Sequence, residues 1–506
     1  MEKKVRVRFA PSPTGGLHLG GVRTALFNYL FAKKHDGSFV LRIEDTDQTR
    51  FVEGAEEYIQ ECLKWCGIEP DESPIHGGNH GPYRQSERKV SYRKYAEQLV
   101  TAGYAYYAFD TPEELEARRS NEPNFKYSQD NRLSLRNSLS LAPEETRQLI
   151  ASNVPHVVRI KAPVGETVSF VDMIRGVVSF DSSLIDDKVL LKADGMPTYH
   201  LAVVVDDHLM EISHVFRGEE WLPSAPIHIL LWEYLGWKNE MPQWAHLPLI
   251  LKPDGNGKLS KRDGDRLGFP VYAMNWQDPQ TGEIAQGFRE LGFLPEAFIN
   301  LLAVLGWNDG SEQELFTIKE LVEKFSIDRV NKSGAKFDYE KAKWFNHAWM
   351  QKQPIDEMIP LASEVLIKHG VQDIDESRVG KILELVRERM ILKSDFWDQA
   401  SFFFQQPIHY DFDSIRSKWT AEKTAFFEDI ASKLDVFEPW SSVELEHFYK
   451  LAIEASGMKM GELMLPLRIM LVGGKFGPHV FDILTHLGRE ESVSRIRAGL
   501  RALLQS

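Results

Sequence analysis

A run of glycines around one histidine, PSPTGGLHLGG at residues 11–21, carries the most specific chemical signal in this chain. Its glycines are Gly15, Gly16, Gly20 and Gly21. Glycine has no Cβ, so such a loop lets a triphosphate approach the backbone, and a helix predicted to follow would add unpaired N–H groups. His18 would add a side-chain donor, and donors aimed at a phosphorus under attack stabilise the transition state more than the ground state. The run therefore predicts a nucleotide site.

A second run, KLSKR at residues 258–262, gathers positive charge in a predicted loop behind the strand-like segment HLPLIL. Lys258, Ser260 and Lys261 would be able to clamp a leaving pyrophosphate, although a lysine-rich loop by itself is usually a solvated turn. Because His18 is distant in sequence, only a fold that unites separate strand ends would let both runs contact one ATP. Together the two runs favour an ATP-using enzyme.

The apolar patterns around the first run predict a β-α-β unit. VRVRF at residues 5–9 has the alternation of a strand, and residues 23–34 have the spacing of a helix. FVLRIED at residues 39–45 predicts a second strand that ends in carboxylates. Ligands bind at the carboxyl edge of parallel sheets, so this unit would hold the glycine run at a ligand site.

A partly β module is predicted to interrupt this nucleotide domain. Its strand-like runs occupy residues 156–161, 167–171 and 176–180. Residues 190–207 then predict a hairpin through Asp194 and Gly195, followed by a buried Val-rich strand that returns to the central sheet. Beyond KLSKR, residues 290–370 and 376–506 have helical apolar spacing and predict helical domains.

The composition excludes several classes of protein. Hydrophobic residues make up 43% and charged residues 26%, as in ordinary globular chains. The net charge of −14 argues against indiscriminate nucleic-acid binding, but it leaves room for a tRNA on a local basic face. No apolar run has the length of a membrane span, and no signal-peptide pattern precedes the first strand. A cytoplasmic location is therefore expected.

The two cysteines of the chain, Cys62 and Cys66, share one face of a predicted helix that ends at Gly67. Two ligands cannot complete a tetrahedral zinc site, and a disulfide along one helical turn has poor geometry. The pattern therefore predicts buried thiols and no metal.

The HLGG and KLSKR runs resemble the two signature motifs of class I aminoacyl-tRNA synthetases. Longer stretches narrow the resemblance to bacterial-type glutamyl-tRNA synthetases: RFAPSPTGGLHLGGVRTALFNYLFA, LRIEDTD, PTYHLAVVVDDHLMEISHVFRGEEW and FDYEKAKWFN. The resemblance covers roughly the whole chain, and it is looser in the C-terminal part, where MKMGELMLPLR matches best. It implies ATP-dependent ligation of L-glutamate to the 3′ end of tRNA-Glu through a glutamyl-adenylate.

The resemblance also implies an α/β fold with a Rossmann-type class I catalytic domain. An inserted connective, acceptor-binding domain would interrupt it, and all-α anticodon-binding domains would follow. The implied divisions are residues 1–105 and 196–262 for the two catalytic halves, 106–195 for the insertion, 263–345 for a stem-contact domain and 346–506 for the anticodon-binding domains.

Individual site residues are carried over by position. The implied glutamate pocket consists of Arg8, Ala10, Ser12, Glu44, Tyr199 and Arg217. A γ-carboxylate calls for a fixed cation that offers two N–H groups, so Arg8 or Arg217 would read it, and Glu44 would hold the α-ammonium. The implied ATP contacts are His18, Gly20, Gly21, Glu220, Trp221, Lys258, Ser260 and Lys261. Among these, His18, Gly20, Lys258 and Lys261 have the implied catalytic roles. Trp221 could instead be a residue of the hydrophobic core.

The chain departs from the family pattern in two features. Many bacterial relatives carry a zinc site in the insertion that begins with a Cys-x-Cys pair, whereas this chain has Ala108 and Asp110 there. No zinc is therefore expected, and packing must stabilise the insertion instead. Val203 stands where some relatives have an asparagine.

The implied chemistry uses ATP with Mg²⁺ and needs no protein nucleophile. The glutamate α-carboxylate would attack the α-phosphorus, and the 2′-OH of the terminal adenosine of tRNA would then attack the adenylate. Family behaviour further implies that tRNA binds before glutamate is activated. The expected partners are tRNA-Glu, L-glutamate and ATP, without a membrane, and the family resemblance favours a monomer.

Several alternatives remain open at this point. A glutaminyl-tRNA synthetase usually has a PPEPNG-type turn and C-terminal β-barrels, and the shorter relative that glutamylates tRNA-Asp lacks an anticodon domain. An inactive tRNA-binding scaffold would have no need of His18 and the lysines of KLSKR. Some enzymes of this kind also charge tRNA-Gln, but we expect a discriminating enzyme. Arg468 is a possible tRNA contact, with helix capping or a salt bridge as the alternative.

Overall fold

The computed structural model describes residues 4–505, apart from the side chains of Lys261 and Asp265. Contacts divide the chain into two compact units. The first unit comprises the chain through Glu290 together with Pro295–Ala342, and the second comprises Leu291–Leu294 and the chain from Lys343 onward. The divisions predicted within the first unit stay predictions.

The strands lie in the first unit and are numbered in chain order. They are β1 (Arg6–Phe9), β2 (Ser38–Leu41), β3 (Ala105–Ala108), β4 (Val157–Ile160), β5 (Thr167–Asp172), β6 (Gly176–Asp181), β7 (Val189–Leu191), β8 (His214–Gly218), β9 (Gln243–Leu247), β10 (Ile250–Leu251), β11 (Trp276–Gln277), β12 (Ile284–Ala285) and β13 (Ala335–Lys336).

The helices are numbered in the same way. Those up to residue 324 are α1 (Leu19–Lys34), α2 (Ala55–Trp65), α3 (Lys89–Thr101), α4 (Pro112–Asn121), α5 (Pro143–Ala151), α6 (Tyr199–Leu209), α7 (Ala225–Tyr234), α8 (Lys261–Leu267), α9 (Phe288–Leu291), α10 (Pro295–Val304) and α11 (Ile318–Lys324). The remainder are α12 (Tyr339–Lys352), α13 (Ile355–Lys368), α14 (Glu376–Val386), α15 (Asp395–Ala400), α16 (Asp413–Arg416), α17 (Ala421–Leu434), α18 (Ser442–Ser456), α19 (Met460–Val472), α20 (Val480–Leu487) and α21 (Arg489–Gln505).

A six-stranded sheet with the order β2-β1-β8-β9-β5-β6 forms the centre of the first unit. Its first four strands run parallel, so their carboxyl ends meet at one edge. Strand β1 is buried along its whole length, as expected for a parallel strand covered on both faces. The predicted β-α-β unit is confirmed, with α1 beginning at Leu19 instead of residue 23.

The predicted strands of the insertion are confirmed, but they divide between two sheets. Strands β3, β4 and β7 form a separate three-stranded sheet. The β5-β6 hairpin instead joins the central sheet, where Asp172 pairs with Trp244 of β9. Its alternating exposed and buried residues suit a sheet that is covered on one face only. The hairpin thereby brings Asp172 beside the ligand edge.

The predicted Val-rich strand is wrong, because Tyr199–Leu209 forms helix α6. The hairpin before it is present, with Gly195 at φ 79°. Every residue from Leu201 to Asp207 is buried, so the buried run covers the helix all round and shows no period that separates it from a strand. Its length of 11 residues suits a helix better than a strand.

The described residues of the second unit contain helices and no strand, as the apolar spacing predicts. No helix in residues 4–505 is long and apolar enough to cross a membrane. Cys62 and Cys66 are free, buried thiols, as predicted. Burial raises the pKa of the Cys62 thiol to about 12, so it stays protonated and unreactive.

Candidate active site

A cavity of about 240 Å³ opens at the carboxyl edge of the central sheet, beside the start of α1. All six residues predicted for the glutamate pocket line it: Arg8, Ala10, Ser12, Glu44, Tyr199 and Arg217. Four of the predicted ATP contacts line the same cavity: Gly20, Gly21, Glu220 and Trp221. The structure therefore brings the glutamate set together with half of the ATP set. A neighbouring cavity of about 390 Å³ shares Ser12, Glu44, Tyr199 and Trp221 with it.

Arg8 reaches this cavity from β1, but its charge is already balanced. Its Nε and Nη2 donate to the two carboxylate oxygens of Asp207 at 3.0 and 3.2 Å. Asp207 also accepts from Arg42 Nη1 at 2.8 Å. Burial favours the protonated acid, yet the two guanidinium groups hold the pKa of Asp207 below its ordinary value. Arg8 thus belongs to a buried ionic network.

Arg217, at the end of β8, is held by neutral groups instead. Its Nε donates to His246 Nε2 at 3.0 Å, and its Nη1 lies 3.0 Å from His228 Nδ1 and 3.1 Å from the Tyr199 hydroxyl. The guanidinium carbon also lies 4.8 Å from the ring centre of Trp244. The buried Nη2 has no hydrogen-bond partner among the described residues. Arg217 therefore offers an uncompensated charge and free donor capacity to the cavity.

The histidines around Arg217 stay neutral. Burial, together with the charge of Arg217, keeps the pKa of His228 well below its usual value. Burial also lowers the pKa of His246, although its hydrogen bond to Asp172 acts in the opposite direction. The pKa of His200 is about 4, chiefly through burial. Positive charge near neutral pH is therefore concentrated on Arg217.

Glu44 lines the pocket with a largely buried side chain and accepts from Arg42 Nη2 at 3.1 Å. Burial raises the pKa of Glu44 above its ordinary value, although Arg42 and Arg8 act to lower it. A positively charged ammonium group in the cavity would also act to lower this pKa, as Arg42 and Arg8 do, and would favour the ionised carboxylate. The geometry thus permits Glu44 to hold an amino group.

His18 forms the N-cap of α1, where its Nδ1 accepts the backbone N–H of Gly20 at 3.1 Å. A neutral imidazole that accepts at Nδ1 carries its proton on Nε2, so His18 can donate a hydrogen bond. The first turn of α1 has no acidic residue. The helix start therefore has the positive end of its dipole uncompensated, which favours an anion.

The glycines of the first run have different reasons to be glycine. A Cβ on Gly16 would lie 2.7 Å from Trp276 and 2.8 Å from Tyr272, and one on Gly21 would lie 2.7 Å from Leu17. Gly16 is required by packing against two aromatic side chains, whereas the contact at Gly21 is with the end of a flexible side chain. A Cβ on Gly20 would meet only His18, at 3.7 Å, so Gly20 is the position that leaves room beside the cavity.

The KLSKR segment lies next to the cavity, because Lys258 contacts Glu220, which lines it. Lys258 Nζ lies 2.5 Å from Glu220 Oε1, and both side chains are partly exposed. Ser260 and Asp263 form a capping box at the start of α8, so the hydroxyl of Ser260 serves the helix. The side chain of Lys261 lies outside the described residues. The prediction that distant runs converge is supported for Lys258.

Trp221 does not belong to the core, because 43% of its side chain is exposed. Its ring lies 4.6 Å from the ring of Tyr199, and both line the cavity. An exposed aromatic face at a nucleotide site suits stacking on a base. The alternative placement of Trp221 in the core is therefore wrong.

The sequence comparison decides the family. Residues 4–344 match the family described as tRNA synthetases class I (E and Q), catalytic domain, and residues 347–500 match an anticodon binding domain. The chain belongs to the class I tRNA synthetases of the E and Q group. The predicted α/β fold with helical anticodon-binding domains is confirmed by these matches. Membership implies that this synthetase uses ATP.

Full-length relatives agree with this assignment. The synthetase is 52% identical to the glutamate–tRNA ligase of Porphyromonas gingivalis, over 99% of each chain. It is 53% identical to that of Flavobacterium johnsoniae, over 99% of this chain and 100% of the relative. The crystal structure of a glutamate tRNA ligase from Elizabethkingia meningosepticum, in complex with its amino acid, matches with a TM-score of 0.95 and 46% identity over 99% of this chain and 100% of that one.

Two further positions of the synthetase have structural partners. Arg468 Nη1 donates to the carbonyl oxygens of Phe476, Gly477 and Pro478 at 3.0, 3.1 and 2.7 Å. This nitrogen closes a loop in the second unit, and a tRNA contact of Arg468 stays a prediction. In the insertion, Asp110 accepts from the Tyr127 hydroxyl at 3.0 Å. Its position thus takes part in the packing of the small sheet.

Sequence reasoning missed the residues that fix the pocket arginines. Arg42 and Asp207 lie inside the quoted motifs LRIEDTD and VVVDD, but no role was predicted for them. The signal was available, because charged residues within buried apolar runs usually need buried partners. His228 and His246 gave no comparable signal, since a lone histidine in an apolar segment has no readable partner in the sequence.

Proposed function

We propose that this synthetase activates L-glutamate with ATP and transfers it to the 3′ end of tRNA-Glu. The observation that carries the proposal is Arg217, a buried cation whose contacts are neutral groups, beside the phosphate-binding start of α1. Such a cation favours a substrate that brings its own negative charge. Full-length relatives named glutamate–tRNA ligase, at about half identity, support the same substrate.

Arg217 reads the γ-carboxylate of glutamate in this proposal, and Arg8 supports the pocket. Arg8 already donates two hydrogen bonds to Asp207, so its charge is shared with a carboxylate before any substrate binds. The Tyr199 hydroxyl lies beside Arg217 and adds a second polar contact. Glu44 holds the α-ammonium, while Ala10 and Ser12 line the wall of the pocket.

The reacting carboxylate then faces the phosphates. The α-carboxylate attacks the α-phosphorus of ATP in line, and pyrophosphate leaves. His18 donates from Nε2 to the developing charge, and the N–H groups at the start of α1 do the same. Gly20 leaves space for the phosphates, and Trp221 packs against the base. With ATP bound, Lys258, Ser260 and Lys261 are proposed to contact the leaving pyrophosphate, for which Lys258 must release Glu220 and Ser260 must release Asp263.

Mg²⁺ is proposed to accompany ATP, because phosphate oxygens and one or two carboxylates usually hold it in such sites. Glu220 fits that requirement, since its partly exposed carboxylate lines the cavity beside Lys258. When bound, the ion would neutralise charge on the phosphates. For the insertion we propose that no zinc is needed. A lower melting temperature of the protein in the presence of a zinc chelator would contradict this.

The transfer step needs no protein nucleophile. The 2′-OH of the terminal adenosine attacks the adenylate carbonyl, and AMP leaves. We propose that tRNA must bind before glutamate is activated, that the enzyme discriminates against tRNA-Gln, and that it acts as a monomer in the cytoplasm. Charging both purified tRNAs side by side tests the second point, since equal rates would contradict it. Size-exclusion chromatography with light scattering tests the monomer.

The central experiment is pyrophosphate exchange with glutamate, ATP and cognate tRNA. We expect exchange that requires all three components. Repeated absence of exchange from folded protein would instead favour an inactive tRNA-binding scaffold. Omitting tRNA in a parallel reaction tests the proposed order of binding.

A further inference from the structure

A buried line of polar side chains runs from Asp172, on the β5-β6 hairpin, to Arg217 in the pocket. Asp172 Oδ2 lies 2.6 Å from His246 Nδ1 and accepts the backbone N–H of His246 at 3.0 Å. Its other oxygen accepts the backbone N–H groups of Ile174 and Arg175 at 3.0 and 2.9 Å. Both Asp172 and His246 are buried, and neither lines the cavity.

Asp172 determines which atoms donate and which accept hydrogen bonds along this line. A carboxylate only accepts hydrogen bonds, so the proton of neutral His246 lies on Nδ1 and its Nε2 is left as an acceptor. Arg217 only donates, and its Nε faces that acceptor at 3.0 Å. Asp172 therefore selects the tautomer of His246 that can hold the guanidinium.

His228 completes the support on the other side. Its Nδ1 accepts from Arg217 Nη1, so its proton lies on Nε2, which is 3.2 Å from His200 Nδ1. The guanidinium is thus oriented by two imidazole acceptors. Neither of them carries a negative charge, whereas Arg8 is held by the carboxylate of Asp207.

We propose that Asp172 and His246 are positioning residues for glutamate specificity: they fix the guanidinium of Arg217 while keeping its positive charge available to the substrate. This inference rests on the proposed activation of glutamate. A carboxylate in direct contact with Arg217 would orient it equally well, but it would neutralise the charge and weaken the preference for glutamate over glutamine. The carboxylate is instead placed one imidazole away.

Asp172→Asn is the sharpest test, because asparagine has the same shape. Asparagine offers one oxygen in place of two. With that oxygen on the backbone N–H groups of Ile174 and Arg175, its NH₂ group faces both the Nδ1 and the backbone N–H of His246. That reverses the tautomer and sets the N–H of His246 Nε2 against the N–H of Arg217. We expect the glutamate KM in aminoacylation to rise at least about tenfold, the ATP KM to stay within about twofold, and the preference for glutamate over glutamine to fall.

Asp187→Asn is the matched control. Asp187 is also fully buried, and it accepts from the Tyr106 hydroxyl at 2.6 Å and from Arg132 at 2.9 Å in the three-stranded sheet. It should lose comparable folding stability without a change in the glutamate KM. An equal rise of the glutamate KM in both variants would overturn the proposal.

A second pair of variants keeps the test informative if Asp172→Asn does not fold. In His246→Gln the side-chain amide oxygen reaches the place of Nε2 and can accept from Arg217. In His246→Asn the shorter amide reaches only the place of Nδ1. We expect His246→Gln to retain a lower glutamate KM than His246→Asn, and equal values would overturn the positioning role.

Charging of tRNA by the native protein distinguishes a failure of the proposed function from a failure of this inference. If it does not charge tRNA with glutamate, the proposed function is wrong. If it does, and the glutamate KM of the folded Asp172 and His246 variants stays within about twofold of native, only this inference is wrong. A parallel rise of the glutamate and ATP KM values would indicate general damage and would also overturn it.

Discussion

Two buried arginines line the same cavity and differ in what balances their charge. Arg8 shares two hydrogen bonds with a carboxylate, whereas the contacts of Arg217 are imidazole, hydroxyl and indole groups. Sequence resemblance alone left either arginine as the reader of the γ-carboxylate. The partner groups, separated from them by long stretches of chain, favour Arg217.

Arg217→Gln should therefore remove glutamate recognition without disturbing ATP. Loss of one partner of a buried, hydrogen-bonded charge pair costs roughly 2–5 kcal/mol of transition-state binding. We expect kcat/KM for glutamate to fall by the corresponding factor, with an unchanged ATP KM. Arg147→Gln, at an exposed pair with Glu144, serves as the control. Equal kcat/KM values for native and Arg217→Gln proteins would contradict the assignment.

The neutral histidines predict how stability depends on pH. His228 is fully buried, and burial keeps its pKa far below the value of about 6.5 that it has in an unfolded chain. The unfolded state therefore binds more protons below pH 6.5. The contribution of His228 to the free energy of unfolding is fully present above that pH and falls as the pH decreases. Between pH 7.5 and 5.5 this histidine contributes a loss of at most about 1.4 kcal/mol.

Urea unfolding followed by tryptophan fluorescence at the two pH values measures this loss. His228→Gln removes the titrating group, so the variant should lose less stability over the same interval than the native protein. The comparison uses differences within each protein, which allows for the lower overall stability of the variant. An identical loss in both proteins would show that His228 is not the group responsible.

At the scale of elements, one glycine of the run at residues 11–21 is needed for packing and another leaves space at the cavity. Gly16→Ala would place a methyl group against Trp276 and Tyr272, and such overpacking costs about 1–3 kcal/mol. Gly20→Ala meets no such obstacle, so we expect the melting temperature to stay near the native value while the ATP KM rises. Thermal melting and the ATP KM, measured for both variants, separate the two roles. A lower melting temperature for Gly20→Ala than for Gly16→Ala would contradict this.

The elements that could be predicted are those whose sequence pattern has one reading. β1 alternates, β2 is a short apolar run directly after Gly37, and α1 follows the glycine run. Helix α6 was misread because a continuous Val-rich run buried on all sides has no visible period. Strands β5 and β6 were predicted as separate runs, but the pairing of β5 with β9 depends on contacts distant in sequence.

The site was predictable to the extent that its residues lie in motifs. The six glutamate-pocket positions do line one cavity. The support behind them was not predictable, since Arg8 and Asp207 are 199 residues apart and Asp172 comes from the insertion. Pairing of this kind is a property of the folded chain and leaves no local signature.

At the scale of the whole molecule, a catalytic unit and a helical unit match a catalytic and an anticodon-binding family in the expected order. The net charge of −14 does not prevent a tRNA partner, because binding depends on local basic surface. Substrate identity is proposed to rest on Arg217 in the first unit, and tRNA identity is proposed to rest on the second. The two specificities can be measured in one reaction.

That reaction is ATP-dependent charging of purified tRNA-Glu, with glutamate and glutamine offered separately to the native protein. The account predicts glutamyl-tRNA that requires ATP, and no more than trace glutaminyl-tRNA at equal amino-acid concentration. Comparable charging with glutamine, or no charging by folded protein, would contradict it.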